Sequence, residues 1–269
     1  MENKKYIIVT GACGGMGRKT VEVLAKSGYH IFSLDRIKKE EIKNVSQIVV
    51  DITNKDELEN AYQEIIKETK DIYAIIHFAG IYLLNSLIEI EEAKFEEILK
   101  VNMYGPYIVN KTFVDLLHEG RKIIITTSEL ALLDPLPFTG LYAVTKNALD
   151  KYAYSLKMEL QLLGINVSVI RPGAVDTKML EVSCKELDNF VSSTTHYDFS
   201  AKKFKEIVDK VEAKSLDVVK IAKLVNKVLN KNKPKFSYNI NRNKLLILLN
   251  ILPKKLRFYI IKKILKNNK

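Results

Sequence analysis

Cysteine is almost missing from this chain. Only Cys13 and Cys184 occur in 269 residues, far apart and without metal-ligand spacing. That excludes a disulfide-stapled scaffold and a cysteine-based metal centre. A chain of this length buries about three quarters of its unfolded surface and needs no covalent staple. A reduced, cytosolic compartment is therefore expected. Also missing are any run of ~20 apolar residues that would span a bilayer, any internal repeat and any low-complexity linker. The start, MENKKYIIVTGA, has neither the length nor the small-residue cleavage site of a signal peptide. Acidic residues are scarce at one end. Residues 201–269 hold 20 Lys/Arg against 4 Asp/Glu, so the net charge of +11 resides there and the first 200 residues sum to a small negative value. Genome bias toward lysine and a functional basic surface both account for this.

What is present is an alternation of short apolar runs and helix-period segments. YIIVT (6–10), HIFSL (30–34), QIVV (47–50), IYAIIH (72–77), KIIITT (122–127) and INVSVI (165–170) read as strands. Helical pattern occupies about 15–26, 54–67, 94–117 with Pro106 as an expected kink, and 141–163, closed by Gly164. The strands are nearly continuous apolar runs, as in a parallel sheet covered on both faces. Right-handed strand–helix–strand crossovers then give an α/β, doubly wound sheet, with ligands held beyond the carboxyl ends of the strands.

Every chemical motif falls at such an end. The first strand runs into Thr10, Gly11, Ala12, Cys13, Gly14, Gly15, Met16 and Gly17, four glycines in seven positions ahead of a helix. Glycines permit a tight turn and close backbone approach to a pyrophosphate, and the helix points free N–H groups at it. Asp35 ends the second strand about 20 residues on, where a carboxylate accepts both ribose hydroxyls of an adenosine. It would repel the 2′-phosphate of NADP, whereas Arg36 beside it would pair with that phosphate. Gly14 stands where a basic residue would have favoured NADP. NAD is thus the expected cofactor, with NADP open. Asp51 and the Ile52 backbone suit the adenine amino edge, although Asp is also a common helix cap. Ala79 and Gly80 would let backbone pass under the cofactor. His77 before them reads as structural.

Tyr142 and Lys146, four apart on a helix, share one face. A phenol titrates near 10, and a nearby ammonium with the positive nicotinamide ring is expected to lower that value. Lys146 also suits the nicotinamide ribose. Ser128, at the end of the fifth strand, can steady charge on a substrate oxygen. Asn102 is an amide inside a helix, where it costs propensity, and a relay role through backbone and water is expected. After the sixth strand, residues 171–177 read as a rigid turn, with Pro172 and Gly173 among the cofactor contacts and the Val175 backbone and Thr177 suited to a carboxamide.

These motifs together resemble the short-chain dehydrogenase/reductase family over about residues 5–240. They are TGACGGMG (10–17), HFAG (77–80), VNMYG (101–105), Ser128, YAVTK (142–146) and PGAVDT (172–177). The resemblance implies a Rossmann-like sheet of about seven parallel strands, a Tyr/Lys/Ser/Asn tetrad, and dimers or tetramers. Two departures stand out. The usual Asn-Asn-Ala-Gly is His77-Phe78-Ala79-Gly80, which removes its polar contacts. The Ser128–Tyr142 gap is one residue longer than common, so the loop at 129–140 is expected to be reshaped.

The expectation is therefore an oxidoreductase interconverting a secondary alcohol and a ketone. Leu130, Leu132, Leu133, Leu136, Phe138, Met179 and Leu180 point to a hydrophobic substrate, steroid-, retinoid- or acyl-like. A non-catalytic dinucleotide sensor on the same fold would be expected to lack the Tyr142 and Lys146 chemistry. Residues 1–240 read as the dinucleotide-binding and catalytic unit and 241–269 as a basic amphipathic extension split by Pro253. That extension suits an anionic membrane surface, a lid on the substrate pocket or a subunit contact. Nucleic acid is not an expected partner, because few aromatics accompany the basic residues.

Overall fold

A computed structural model of the chain describes residues 4–212 and 215–266, with the side chains of 178–184 and 211–212 outside the description. Seven strands form one all-parallel sheet: β1 (Tyr6–Thr10), β2 (His30–Asp35), β3 (Val45–Val49), β4 (Ile72–His77), β5 (Lys122–Thr126), β6 (Asn166–Pro172) and β7 (Ser237–Ile240), in the order β3-β2-β1-β4-β5-β6-β7. The order reverses between β1 and β4, so a crevice opens beyond their carboxyl ends.

The apolar runs are continuous because successive residues serve opposite faces. Ile8, Phe32, Ile75 and Ile123 pack on one side with Phe113, Leu149 and Ala153. Ile7, Val9, Ile31 and Ile76 pack on the other with Leu24, Val21, Ile221 and Val225. The helices on the first side include α2 (Lys55–Ile65), α4 (Gly105–Phe113) and α5 (Gly140–Leu160). Those on the second are α1 (Gly15–Lys26) and α8 (Val218–Leu229). Between α2 and α4 lies α3 (Glu92–Leu99), and between β6 and α8 lie α6 (Lys178–Ser193) and α7 (Asp198–Glu212). The chain ends in α9 (Lys244–Ile251) and α10 (Lys254–Leu265), parted at Pro253 as the sequence suggests.

Two expectations need correction. The third strand begins at Val45, two residues early, because its pairing with Ile31 to Asp35 sets its length. The helix expected over 94–117 is not continuous. It passes from α3 through a π-helical stretch at Lys100–Tyr104 into α4 and ends in a 3-10 turn at Val114–Leu116. Proline has no N–H, and its ring displaces the carbonyl four residues back, which for Pro106 is that of Asn102. The turn widens instead, with the Gly105 N–H reaching the Lys100 carbonyl. Gly105 lets Ile52 pack close: a Cβ would stand 2.6 Å from Ile52 Cδ1, and that side chain would have to move.

Candidate active site

A cleft of about 520 Å³ lies over the β1/β4 crevice, within the usual range for ligand sites. Its floor is the glycine loop. Gly11 (φ +63°) passes so close to β4 that a Cβ would lie 2.4 Å from the Ala79 nitrogen. A Cβ on Gly17 would stand 2.1 Å from the Gly11 carbonyl oxygen. No side chain caps α1 and no acidic residue occupies its first turn. Its leading N–H groups therefore face a cleft lined by Gly14, Gly15, Met16 and Gly17, an arrangement that fits a pyrophosphate. Asp35 lines the same cleft and accepts the Cys13 N–H at 2.8 Å, which fixes its carboxylate against the loop. Arg36, Asp51, Ile52, Ala79, Gly80 and Thr177 also line it.

Asp51 is less available than expected. Its Oδ1 accepts the Thr53 N–H and hydroxyl, each at 2.8 Å, while Asn54 is the cap of α2. The Thr53 bonds hold its pKa down against the upward push of burial. Besides Tyr142 and Lys146, four expected cofactor residues stand away from the cleft lining. Thr10 is fully buried with its hydroxyl unpaired. Pro172 completes β6. Gly173 donates to Ile240 and lets the β7 end approach, since a Cβ would meet the Asn241 oxygen at 1.9 Å. Val175 is buried in a bridge to Leu216.

Beyond Gly80 the cleft meets a buried polar group. The inward stripe of α5 carries Tyr142, Thr145, Lys146, Leu149, Asp150 and Ala153, spaced as one helix face. The Ser128 side chain stands close enough to the Tyr142 phenol to pull its pKa down. The Lys146 Nζ lies 5.7 Å from the Tyr142 ring centre. A Cβ on Gly80 would stand 3.2 Å from Asn102 Oδ1 and 3.3 Å from Lys146 Nζ, so Gly80 is the thin wall between cleft and tetrad. The π-helical turn aims Asn102 inward, where it donates to Ile81 O (3.0 Å) and Thr145 Oγ1 (3.1 Å) and accepts from Ile81 N (2.9 Å). Asn102 thereby pins the wall.

The electrostatics differ from expectation. The phenol of Tyr142 is pushed up, not down. Burial is the main cause, the neighbouring Tyr82 adds to it, and only Ser128 opposes. Burial likewise lowers Lys146 to about 8. Its hydrogen bond is a single long one, 3.5 Å to the Thr126 carbonyl. A buried ammonium with two unclaimed donors suits the hydroxyls of a ribose.

His77 is structural, as expected. Its Nε2 bonds Asn110 Oδ1 at 2.9 Å, and Asn110 continues to the Tyr152 hydroxyl. Full burial lowers its pKa to about 4, against about 6.5 in an unfolded chain. The unfolded state thus takes up the proton first as pH falls. Stability is full above pH 6.5 and declines toward pH 4, by up to about 3 kcal/mol. Chemical denaturation across that range should show a shallower acid decline in His77→Asn. Parallel curves for the two proteins would remove His77 as the cause.

Several residues around the site carry no local sequence signal. Tyr82 lines the cleft and packs on Tyr142 with ring centres 4.7 Å apart. Glu129, next to Ser128, is buried and accepts the Asn243 N–H at 2.6 Å. Burial raises its pKa against the pull of Asn243 and Arg242. Asp150 holds Arg171 through two bonds of 2.7 and 2.8 Å. Arg171 did leave a trace, as a charge in a buried strand. In the loop at 129–140, Phe138 packs with Phe190, Tyr197 and Phe204. Leu130, Leu133 and Leu136 face α9, and Leu132 is exposed. Met179 and Leu180 lie outside the described side chains. Among the described residues no group of His, Cys, Asp and Glu could hold a metal.

Comparison with known proteins agrees with this fold. A family model described as short chain dehydrogenase matches residues 5–188. The 3-ketodihydrosphingosine reductase of Bacteroides thetaiotaomicron is 24% identical over 233 residues, covering 86% of each chain. The NADPH-dependent 1-acyldihydroxyacetone phosphate reductase of Schizosaccharomyces pombe is 27% identical over 186 residues, 66% of this chain and 62% of the other. A short chain dehydrogenase from Burkholderia cenocepacia, solved in complex with NADP, superposes with a TM-score of 0.73 at 18% identity, covering 98% of this chain and 99% of that one.

Proposed function

Because this chain belongs to the short-chain dehydrogenase family, whose members are NAD(P)-dependent oxidoreductases, we propose that it interconverts a hydrophobic ketone and its secondary alcohol through Tyr142, Lys146, Ser128 and Asn102. One observation carries the reading. Lys146 and Asn102 lie behind Gly80 at the end of a dinucleotide-sized cleft, with the Tyr142 phenol one helical turn from Lys146 and beside Ser128.

The nicotinamide, when bound, supplies or accepts hydride. The protein's own groups then handle the oxygen. Tyr142 gives a proton to the carbonyl oxygen during reduction and removes it from the hydroxyl during oxidation. Ser128 donates to the same oxygen as charge develops there. Lys146 would hold the ribose and favours the phenolate after the proton has left. Asn102 fixes the Gly80 wall that borders the cleft. Tyr142 is surrounded by Leu83, Ile98 and Leu141 with Leu130 nearby, which supports an apolar substrate. The names of the two reductase relatives, both for lipid-like ketones, support the same class. Asp35, locked to the loop through Cys13, supports NAD over NADP, because a 2′-phosphate would stand against a fixed carboxylate.

The test is absorbance at 340 nm with NADH and NADPH over a panel of long-chain and polycyclic ketones and small polar sugars. Turnover should favour NADH and the hydrophobic ketones. Activity confined to sugars would defeat the substrate class, and a strong preference for NADPH would defeat the role given to Asp35.

A further inference from the structure

The last two helices have an inward and an outward side. Inward, α10 presents Arg257, Ile261 and Leu265, spaced i, i+4, i+8. Arg257 is buried in an ion pair with Asp134 and bonds Asn250 Oδ1 at 2.7 Å. Asn250 in turn accepts the Asp134 N–H at 2.9 Å, and Ser200 bonds the Leu265 carbonyl at 2.8 Å. With the Glu129–Asn243 bond, these contacts hold the hairpin on α7 and on the loop that follows Ser128.

The outward side is apolar and basic. On α9, Leu245, Leu248 and Ile251 are 71%, 60% and 74% exposed. On α10, Tyr259 and Leu256 lie opposite the buried stripe, and Phe258 and Ile264 flank it, all exposed. Lys244, Lys254, Lys255, Lys262, Lys263 and Lys266 are exposed among them. Residues 243–269 contain no Asp or Glu. No helix among the described residues is long and apolar enough to cross a membrane.

We propose that the outer face of the α9–α10 hairpin seats this chain on an anionic lipid bilayer. Charge chooses the occupant. A second copy meeting this face across a two-fold axis would set lysines against lysines with no carboxylate in the segment to relieve them. Nucleic acid would satisfy the lysines but leave Leu245, Leu248 and Ile251 in water. A bilayer with acidic headgroups takes both, with aliphatic side chains entering the acyl boundary and lysines reaching the headgroups. The rim continues beyond the hairpin. Leu87 and Ile88, 59% and 71% exposed, border a groove of about 440 Å³ whose other wall is Leu265, with Lys262 and Lys266 beside it. A chain seated this way would bring that groove to the level of the lipid.

The proposal does not rest on the enzymatic reading, and its test needs neither cofactor nor substrate. The full chain is sedimented with vesicles of phosphatidylcholine alone or mixed with phosphatidylglycerol, at low and high salt. Binding should be at least tenfold stronger on the anionic vesicles and weaken with salt. Each lysine near an anionic surface contributes about fivefold. The triple variant Lys262→Glu, Lys263→Glu, Lys266→Glu should therefore lose at least tenfold. The double variant Leu245→Asp, Leu248→Asp should lose a similar amount with an unchanged melting temperature. Failure of the native chain to bind anionic vesicles at low salt would overturn the proposal. So would binding that both variants retain. Sedimentation velocity gives the third reading: an oligomer dispersed by Leu245→Asp, Leu248→Asp without any change in lipid binding would assign the face to a second copy.

Discussion

Replacing Tyr142 with Phe should lower turnover by about 10²–10⁴-fold, the usual share of a positioned general acid–base group, while the dinucleotide still binds. The substitution removes one oxygen and little else. The ring keeps its place beside Tyr82, 4.7 Å away, and among Leu83, Ile98 and Leu141. Loss of the phenol's polar contact with Ser128 costs at most about 1 kcal/mol of stability, too little to unfold a chain of this size. The cleft that would hold the nucleotide is lined by the glycine loop and the β2 and β4 ends, not by the phenol. Measuring kcat by stopped time course and cofactor affinity by quenching of NADH fluorescence separates the two effects. Turnover near the native level would refute the assignment of Tyr142, whatever happened to binding.

The size of that effect follows from an imbalance within the protein. Burial makes the Tyr142 phenol reluctant to ionise. It also brings Lys146 down to about 8, so most of the ammonium persists at neutral pH but is held at a cost. Each group is disfavoured in its charged form by the same desolvation, and each is relieved by an opposite charge appearing nearby. A site arranged this way holds its proton until an oxygen that can take it arrives.

The parts of this arrangement that could be read from the sequence are those carried by local spacing. Tyr142 and Lys146 are one helical turn apart, and Ile7, Ile8 and Val9 show both sheet faces covered because every position is apolar. Gly11 and Gly17 announce a turn. Pro106 announced a break, but not that the helix would absorb it as a π turn around Asn102. What was illegible depends on distant partners. β7 is four residues long and only partly buried, so it leaves no apolar run and exists by pairing with β6. Nothing near Glu129 in the sequence announces its burial, because its partner Asn243 lies 114 positions away. Pro253 divides the terminal helices in the sequence, yet distant contacts decide which side of α10 turns inward: Asp134 on Arg257, and the cluster around Phe138 and Phe204 on Ile261 and Leu265. The burial that pushes the Tyr142 phenol up is illegible for the same reason. Spacing shows the ammonium, whereas burial depends on Tyr82 and the loop that carries it.

The largest stability effect should come from the buried pair of Asp150 and Arg171. Asp150 lies on α5 two turns beyond Tyr142, and its Oδ1 and Oδ2 accept Arg171 Nε and Nη2 from the end of β6. The same Oδ1 accepts the Thr127 hydroxyl at 3.2 Å, one residue before Ser128. One carboxylate thus joins the helix carrying Tyr142 and Lys146, the strand end carrying Ser128, and the next strand. Arg171→Ala would leave that carboxylate nearly solvent-free with a single weak partner, which costs about 3–5 kcal/mol. A melting temperature lower by roughly 10 °C is expected. Arg171→Lys, with one point charge in place of a planar fork, should lose part of this. Replacing both partners at once, Asp150→Leu with Arg171→Met, should cost less than Arg171→Ala, because no charge is left stranded. That double variant then isolates positioning from stability. If the carboxylate holds Ser128 in register with Tyr142, kcat should fall in the folded double variant while NADH affinity stays. An unchanged kcat there would mean that the pair stabilises the fold and leaves the catalytic geometry to the helix and strand alone.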